Sequence, residues 1–188
     1  MPIDPPSAIV DVVTANHLYR GQVTTGGRRL ADVLSDSSRA TVEMHDVVVR
    51  SPGEQSEDRH GHHLILSKKD ILLVVPQGRY EAPIRRHNNY QLKQPYPVMV
   101  VLPGYVVIAV AHLPPRANPW MLIDDSAGLP AFFGLTEVTV QSSPHGFVPS
   151  QCETVIVHRR RIEAVELCQE PAGKPPLELA AGTPASGD

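Results

Sequence analysis

The segment His60-Gly61-His62-His63 places three imidazoles within four residues. Imidazole is a strong ligand for zinc, which takes three or four such groups, each oriented by further hydrogen bonds. No cysteine pair or carboxylate motif completes this set, and Glu54, Glu57 and Asp58 share the same polar stretch. The tract therefore reads as a place for adventitious metal capture, and no metal site is nominated from it.

Two basic runs, Lys68-Lys69 and His158-Arg159-Arg160-Arg161, fall between apolar stretches, where tight turns are expected. Cations at a turn can meet phosphates or base edges. They can equally be solvated residues that keep a sheet edge from aggregating. A third run, Arg85-Arg86-His87-Asn88-Asn89-Tyr90, with Tyr80 and Tyr96 nearby, mixes charge and aromatics as single-strand binders do. Its plainer reading is a linker whose tyrosines lie on the flanking units. Lys68, Lys69, Arg85, Arg86, Arg159, Arg160 and Arg161 are the candidate nucleic-acid contacts.

No nucleophile elbow, phosphate loop or paired-carboxylate motif is present. No catalytic residue and no cofactor is nominated, and the chain is read as a non-enzyme. Cys152 and Cys168 are too few for a disulfide framework and flank the last predicted hairpin, where a reduced pair is expected. That expectation, and a leading segment without a basic region or apolar core, point to the cytoplasm. No apolar run approaches the roughly 18 residues of a membrane span.

The elements that must carry these residues come in two similar sets. Val12 to Leu18 aligns with Val100 to Val106 at an offset of 88. Met44 to Val49 aligns with Leu135 to Val140, and Leu64 to Ile71 with Val155 to Ile162, at an offset of 91. The change of three falls near Pro114-Pro115-Arg116, in a turn region that tolerates insertion. The net charge of −3 argues against a general nucleic-acid binder, although residues 77–96 carry four Lys/Arg against one Asp/Glu.

Each set reads as five short strands. In the first, the strands are Ile9–Thr14, His17–Val23, Ala40–Arg50, His63–Ser67 and Ile71–Val75. A single helical turn or an irregular crossover is expected at Leu30–Leu34 and a bulge near His45-Asp46. Few strands, tight turns and one long loop suggest a small antiparallel barrel; an immunoglobulin-like sandwich needs about seven strands. Val13, Val23, Val47, Val49, Ile65 and Ile71 are expected in one core. Val101, Val138, Val140, Ile156 and Ile162 are expected in the other.

The segment Ser67-Lys68-Lys69-Asp70-Ile71-Leu72-Leu73-Val74-Val75-Pro76 resembles the closing motif of the bacterial Sm-type RNA chaperone, Tyr-Lys-His-x-Ile followed by Val-Val-Pro. Val13-Thr14, Gly21-Gln22-Val23 and Asp46-Val47-Val48-Val49 resemble the first Sm motif. Thr14, His17, Gly21, Arg29-Leu30-Ala31-Asp32-Val33-Leu34 and Asp46-Val47-Val48-Val49 also resemble the pattern of an uncharacterised bacterial family. The chain departs from the chaperone at its signature His, here Lys69 and Arg160, and at its Tyr, here Ser67 and His158. Asp124-Asp125-Ser126-Ala127-Gly128 resembles the Asp-x-Ser-x-x-Gly of PilZ barrels, but its Gly is one position early and no Arg-x-x-x-Arg precedes it.

The resemblance implies an all-β chain of two tandem Sm-like (SH3-like) five-stranded barrels. They span residues 8–76 and 97–168, joined by a basic linker, 77–96, and followed by a disordered tail, 169–188. Units of about 70 residues bury thin cores and need partners. Sm-type units pair strand edges between subunits, so the function expected is protein scaffolding or self-association. RNA is the alternative ligand. A nucleotide-binding barrel of PilZ type or an enzyme ranks below both. The two units are expected to superpose with one strand order, as separate sheets.

Overall fold

Val, Ile and Leu crowd the ordered stretches, and β-branched side chains favour the pleated backbone. The computed structural model describes residues 6–51, 58–78, 93–115, 117–124, 128–143 and 148–168. The first half holds β1 (Ser7–Thr14), β2 (Leu18–Thr24), α1 (Leu30–Ser35), β3 (Thr41–Arg50), β4 (Arg59–Ser67) and β5 (Ile71–Pro76). The second holds β6 (Gln94–Leu102), β7 (Tyr105–Leu113), β8 (Phe132–Ser142), β9 (Gln151–His158) and β10 (Ala164–Leu167). Single 3-10 turns, Lys68–Asp70 and Arg159–Arg161, link β4 to β5 and β9 to β10. The protein is all-β, and among the described residues no helix is long and apolar enough to cross a membrane.

The expected separation into two sheets is corrected. One antiparallel sheet runs through both halves in the order β10-β6-β7-β8-β9-β5-β1-β2-β3-β4, and it does not close. Each half keeps the internal order last-first-second-third-fourth. The halves meet where β5 pairs with β9, Leu73 opposite Val157 and Val74 opposite Ile156. A strand edge is a row of unpaired N–H and C=O groups, and each half satisfies one such edge with the other.

The pairing register recurs with the two offsets. Val12 faces Tyr19 and Val100 faces Val107. Met44 faces Leu64 and Leu135 faces Val155. Val12 faces Val74 and Val100 faces Val165. The register of β3 against β2 shifts between Arg20 and Gln22, and that of β8 against β7 shifts between Ile108 and Val110. The expected bulge near His45-Asp46 is the first of these.

Two apolar clusters lie on either side of the junction strands. Val74 and Ile156 belong to the cluster of the first half, whereas Leu73, Val75, Val155 and Val157 belong to that of the second. Strand residues alternate between faces, so a strand with a core on each side must be apolar throughout. That accounts for Leu73-Val74-Val75; at Leu72 the register against β1 shifts, which sends Leu72 to the second cluster with Leu73 and Ile71 to the first.

Eight of the eleven expected core residues are buried. Three are not: Val49 and Val101 are half-buried, and Ile65 is 60% exposed. Ile65 lies on β4, which ends the sheet and has β3 as its only neighbour among the described residues. The strand also runs back to Arg59, through residues expected to form a polar loop. The second half begins its first strand at Gln94, inside the segment read as a linker. Residues 79–92 of that linker, with Arg85 and Arg86, and the tail from 169 lie outside the described residues.

Candidate functional site

Among the described residues the sheet has two free edges, β4 at one end and β10 at the other. The Lys68 amide donates to the Ala40 carbonyl, which fixes the phase of the β3–β4 ladder. Antiparallel bonding engages alternate residues, so the Ile65 amide is directed away from β3, toward the free side. By the offset of 91, Ile65 corresponds to Ile156. Ile156 is 4% exposed, because across the β5–β9 junction it packs into the apolar cluster of the first half. One sequence position is thus buried where a neighbouring strand is present and open where it is absent.

The two 3-10 turns, expected to present cations, divide their residues between inside and outside. Lys68 is buried, and its Nζ donates to the carbonyls of Val33 (3.1 Å) and Asp36 (2.9 Å). Its counterpart Arg159 is buried too, and its guanidinium donates to the Asp124 carbonyl. Both cations tie down the segment that crosses between the second and third strands of their half. Six-residue α1 is too short to persist alone; it is held by buried Leu30 and Leu34 and by this lysine. Burial lowers the pKa of Lys68, opposed by the nearby Asp36 carboxylate.

Lys69 and Arg160 are exposed, and Arg161 is half-buried. The junction brings the two turns together: Arg161 Nε donates to the Lys69 carbonyl at 2.9 Å and its guanidinium lies 3.8 Å from Asp70. Beside them, His158 is buried and stacked on Phe132, with ring centroids 4.4 Å apart. Its Nδ1 donates to the Ile71 carbonyl at 3.1 Å, across the join between the halves. Desolvation lowers the His158 pKa; that hydrogen bond opposes the shift, and the three neighbouring arginines add to it.

A cleft of about 330 Å³ opens beside α1, lined in part by Thr25, Arg28, Arg39, Thr41, Glu43 and Lys68. Arg28 is paired with Asp36 at 3.0 Å. The Asp36 carboxyl, bonded by Ser38 and Arg28, is held well below the usual carboxylate range.

Sequence reading missed an ion pair between a buried carboxylate and a half-exposed arginine. Asp11 is 1% exposed and takes both Arg20 Nε and Nη2 at 2.7 Å, with Gln77 Nε2 at 2.8 Å. The signal available was an Asp in the middle of an apolar strand. Cys152, on β9, and Cys168, just past β10, are both free, and β9 and β10 are not sheet neighbours. No protein-family model, curated protein or solved structure matches the chain.

Proposed function

We propose that the chain is a non-enzymatic assembly module. It comprises two duplicated five-stranded Sm-like units, residues 8–76 and 97–168, which associate head to tail with further copies through β4 and β10. The observation that carries this reading is the difference between Ile65 and Ile156. The β5–β9 junction supplies the template. Shifting its partners by 91 residues pairs Leu66 of one copy with Ala164 of the next, and Ile65 with Val165. Such a contact is heterologous, joining unlike edges, so it builds a closed ring or an open series according to the rotation per step.

Sedimentation of the full chain tests this. The expected mass is a multiple of 20.5 kDa. Ile65→Lys, which places a charge on the edge, shifts it to the monomer. Ile9→Lys, at an exposed position on an interior strand, leaves it unchanged. A monomeric parent at every concentration contradicts the reading.

RNA is the second reading, favoured by the contact that places Lys69 and Arg161 side by side at the junction. Its signature is steep weakening with salt as counterions are released.

A further inference from the structure

We propose that Glu43, His45 and His63 form a binding site for a late first-row divalent cation of the zinc class, on the exposed face of the β3–β4 hairpin. The ligand atoms of these residues all lie within 4.8 Å of one another. His63 Nε2 is 3.8 Å from Glu43 Oε2. The two imidazoles stand directly opposite each other in the ladder and stack with centroids 5.1 Å apart. Around a tetrahedral zinc with bonds of about 2.0–2.1 Å, ligand atoms sit roughly 3.3 Å apart. The cluster needs to contract by up to about 1.5 Å, within the reach of side-chain rotation on exposed residues.

Donor chemistry selects the ion. Two imidazoles and one carboxylate suit zinc, nickel or copper; calcium and magnesium take oxygen ligands. Three protein ligands leave at least one coordination position for water or another donor.

The backbone prepares the arrangement. Alternation along β3 buries Val42 and Met44 and turns Glu43 and His45 together to the exposed face. The unshifted β3–β4 register sets His45 opposite His63, eighteen positions away in the sequence. The contiguous tract is not the site, since His60 and His62 are outside the cluster.

The second half acts as an internal control. At the positions of Glu43, His45 and His63 it carries Gly134, Thr136 and Thr154, with Thr136 opposite Thr154 in the same register. The framework therefore folds without imidazoles there. A pair of histidines on an exposed ladder position is not demanded by packing, and its cross-strand contact becomes repulsive when both rings are protonated.

The test is titration of the full chain with zinc chloride against a chromophoric chelator, with cobalt absorption as a second readout. The proposal expects one equivalent bound and cobalt bands of low coordination number. His45→Ala and His63→Ala should each weaken binding at least ten-fold, while His60→Ala/His62→Ala retains it. Thermal melts in chelator should be the same for parent and variants, since all three residues are exposed. The triple change Gly134→Glu/Thr136→His/Thr154→His should add a second equivalent. Binding unaffected by His45→Ala and His63→Ala, or abolished by His60→Ala/His62→Ala, overturns the proposal.

Discussion

Asp46 and Glu137 hold the same place in the two halves, 91 residues apart, and both adopt a left-handed backbone, with φ of 50° and 54°. They are the only non-glycine residues with positive φ among those described. Each marks the bulge at which the third strand of its half changes register against the second. Left-handed conformation costs an L-residue roughly 1–2 kcal/mol, and more when the side chain is β-branched. Asp46→Val and Glu137→Val should each lower stability by about 1–3 kcal/mol in urea unfolding. Glu137→Gly should be tolerated to within about 1 kcal/mol. Equal effects of Val and Gly at these positions would contradict a conformational role.

Gly21 packs against the first bulge. A Cβ there would lie 2.8 Å from the His45 carbonyl oxygen and 3.1 Å from Val47 Cγ2. Gly21→Ala should cost about 1–3 kcal/mol, because backbone must move to admit it. The second half carries Ala109 at this place, so its bulge has already made room. Ala109→Gly should lower stability too, by loss of a buried methyl. A Gly21→Ala chain as stable as the parent in urea unfolding would contradict the close approach to the His45 carbonyl.

The Asp11–Arg20 pair spans β1 and β2, as direct neighbours in the ladder. Removing Arg20 leaves the Asp11 carboxylate buried with only Gln77. Arg20→Ala should destabilise toward the low end of about 3–5 kcal/mol, because the arginine is itself 45% exposed. The equivalent pair in the second half is Met99 opposite Ile108. Transplanting it, Asp11→Met/Arg20→Ile, should bring stability back to within about 1 kcal/mol of the parent. A double variant as weak as Arg20→Ala would show that the apolar pair does not fit the first half.

His158 gives the fold a pH dependence with a definite sign. Its folded pKa is lowered by burial, so the unfolded chain takes up this proton first as the pH falls. Its contribution is complete above the ordinary histidine value of about 6.5 and is lost below it. Thermal melts at pH 7 and pH 5 should differ more for the parent than for His158→Gln. Identical pH slopes would mean that His158 is hydrated or charged in the folded state.

The strands, the turn positions and the first bulge were legible in the sequence, because alternation and the doubled pattern fix them. The placement of the cations was not. Lys68 and Arg159 look like solvated turn residues, yet each reaches back to carbonyls of a distant crossover segment. Nothing local in the sequence announces such a partner. Ile65 read as core because its pattern matches Ile156, and the pattern is blind to whether a neighbouring strand is present. Glu43 and His45 escaped notice as ligands because only the hairpin brings His63 to them. If RNA binds, the exposed Lys69 and Arg160 and the half-buried Arg161 should carry it. Lys69→Ala/Arg160→Ala/Arg161→Ala should then reduce the salt slope by about 0.7 per lost phosphate contact.

The central claim is that β4 of one copy receives β10 of another in the register of the β5–β9 junction. The direct measurement is oxidative cross-linking between copies, with Cys152 and Cys168 replaced by Ser. Ile65→Cys and Val165→Cys chains, mixed, should yield a disulfide-linked dimer on a denaturing gel, and neither chain alone should do so. No cross-link in the mixture, or equally strong linking of Ile65→Cys chains to each other, would contradict head-to-tail assembly.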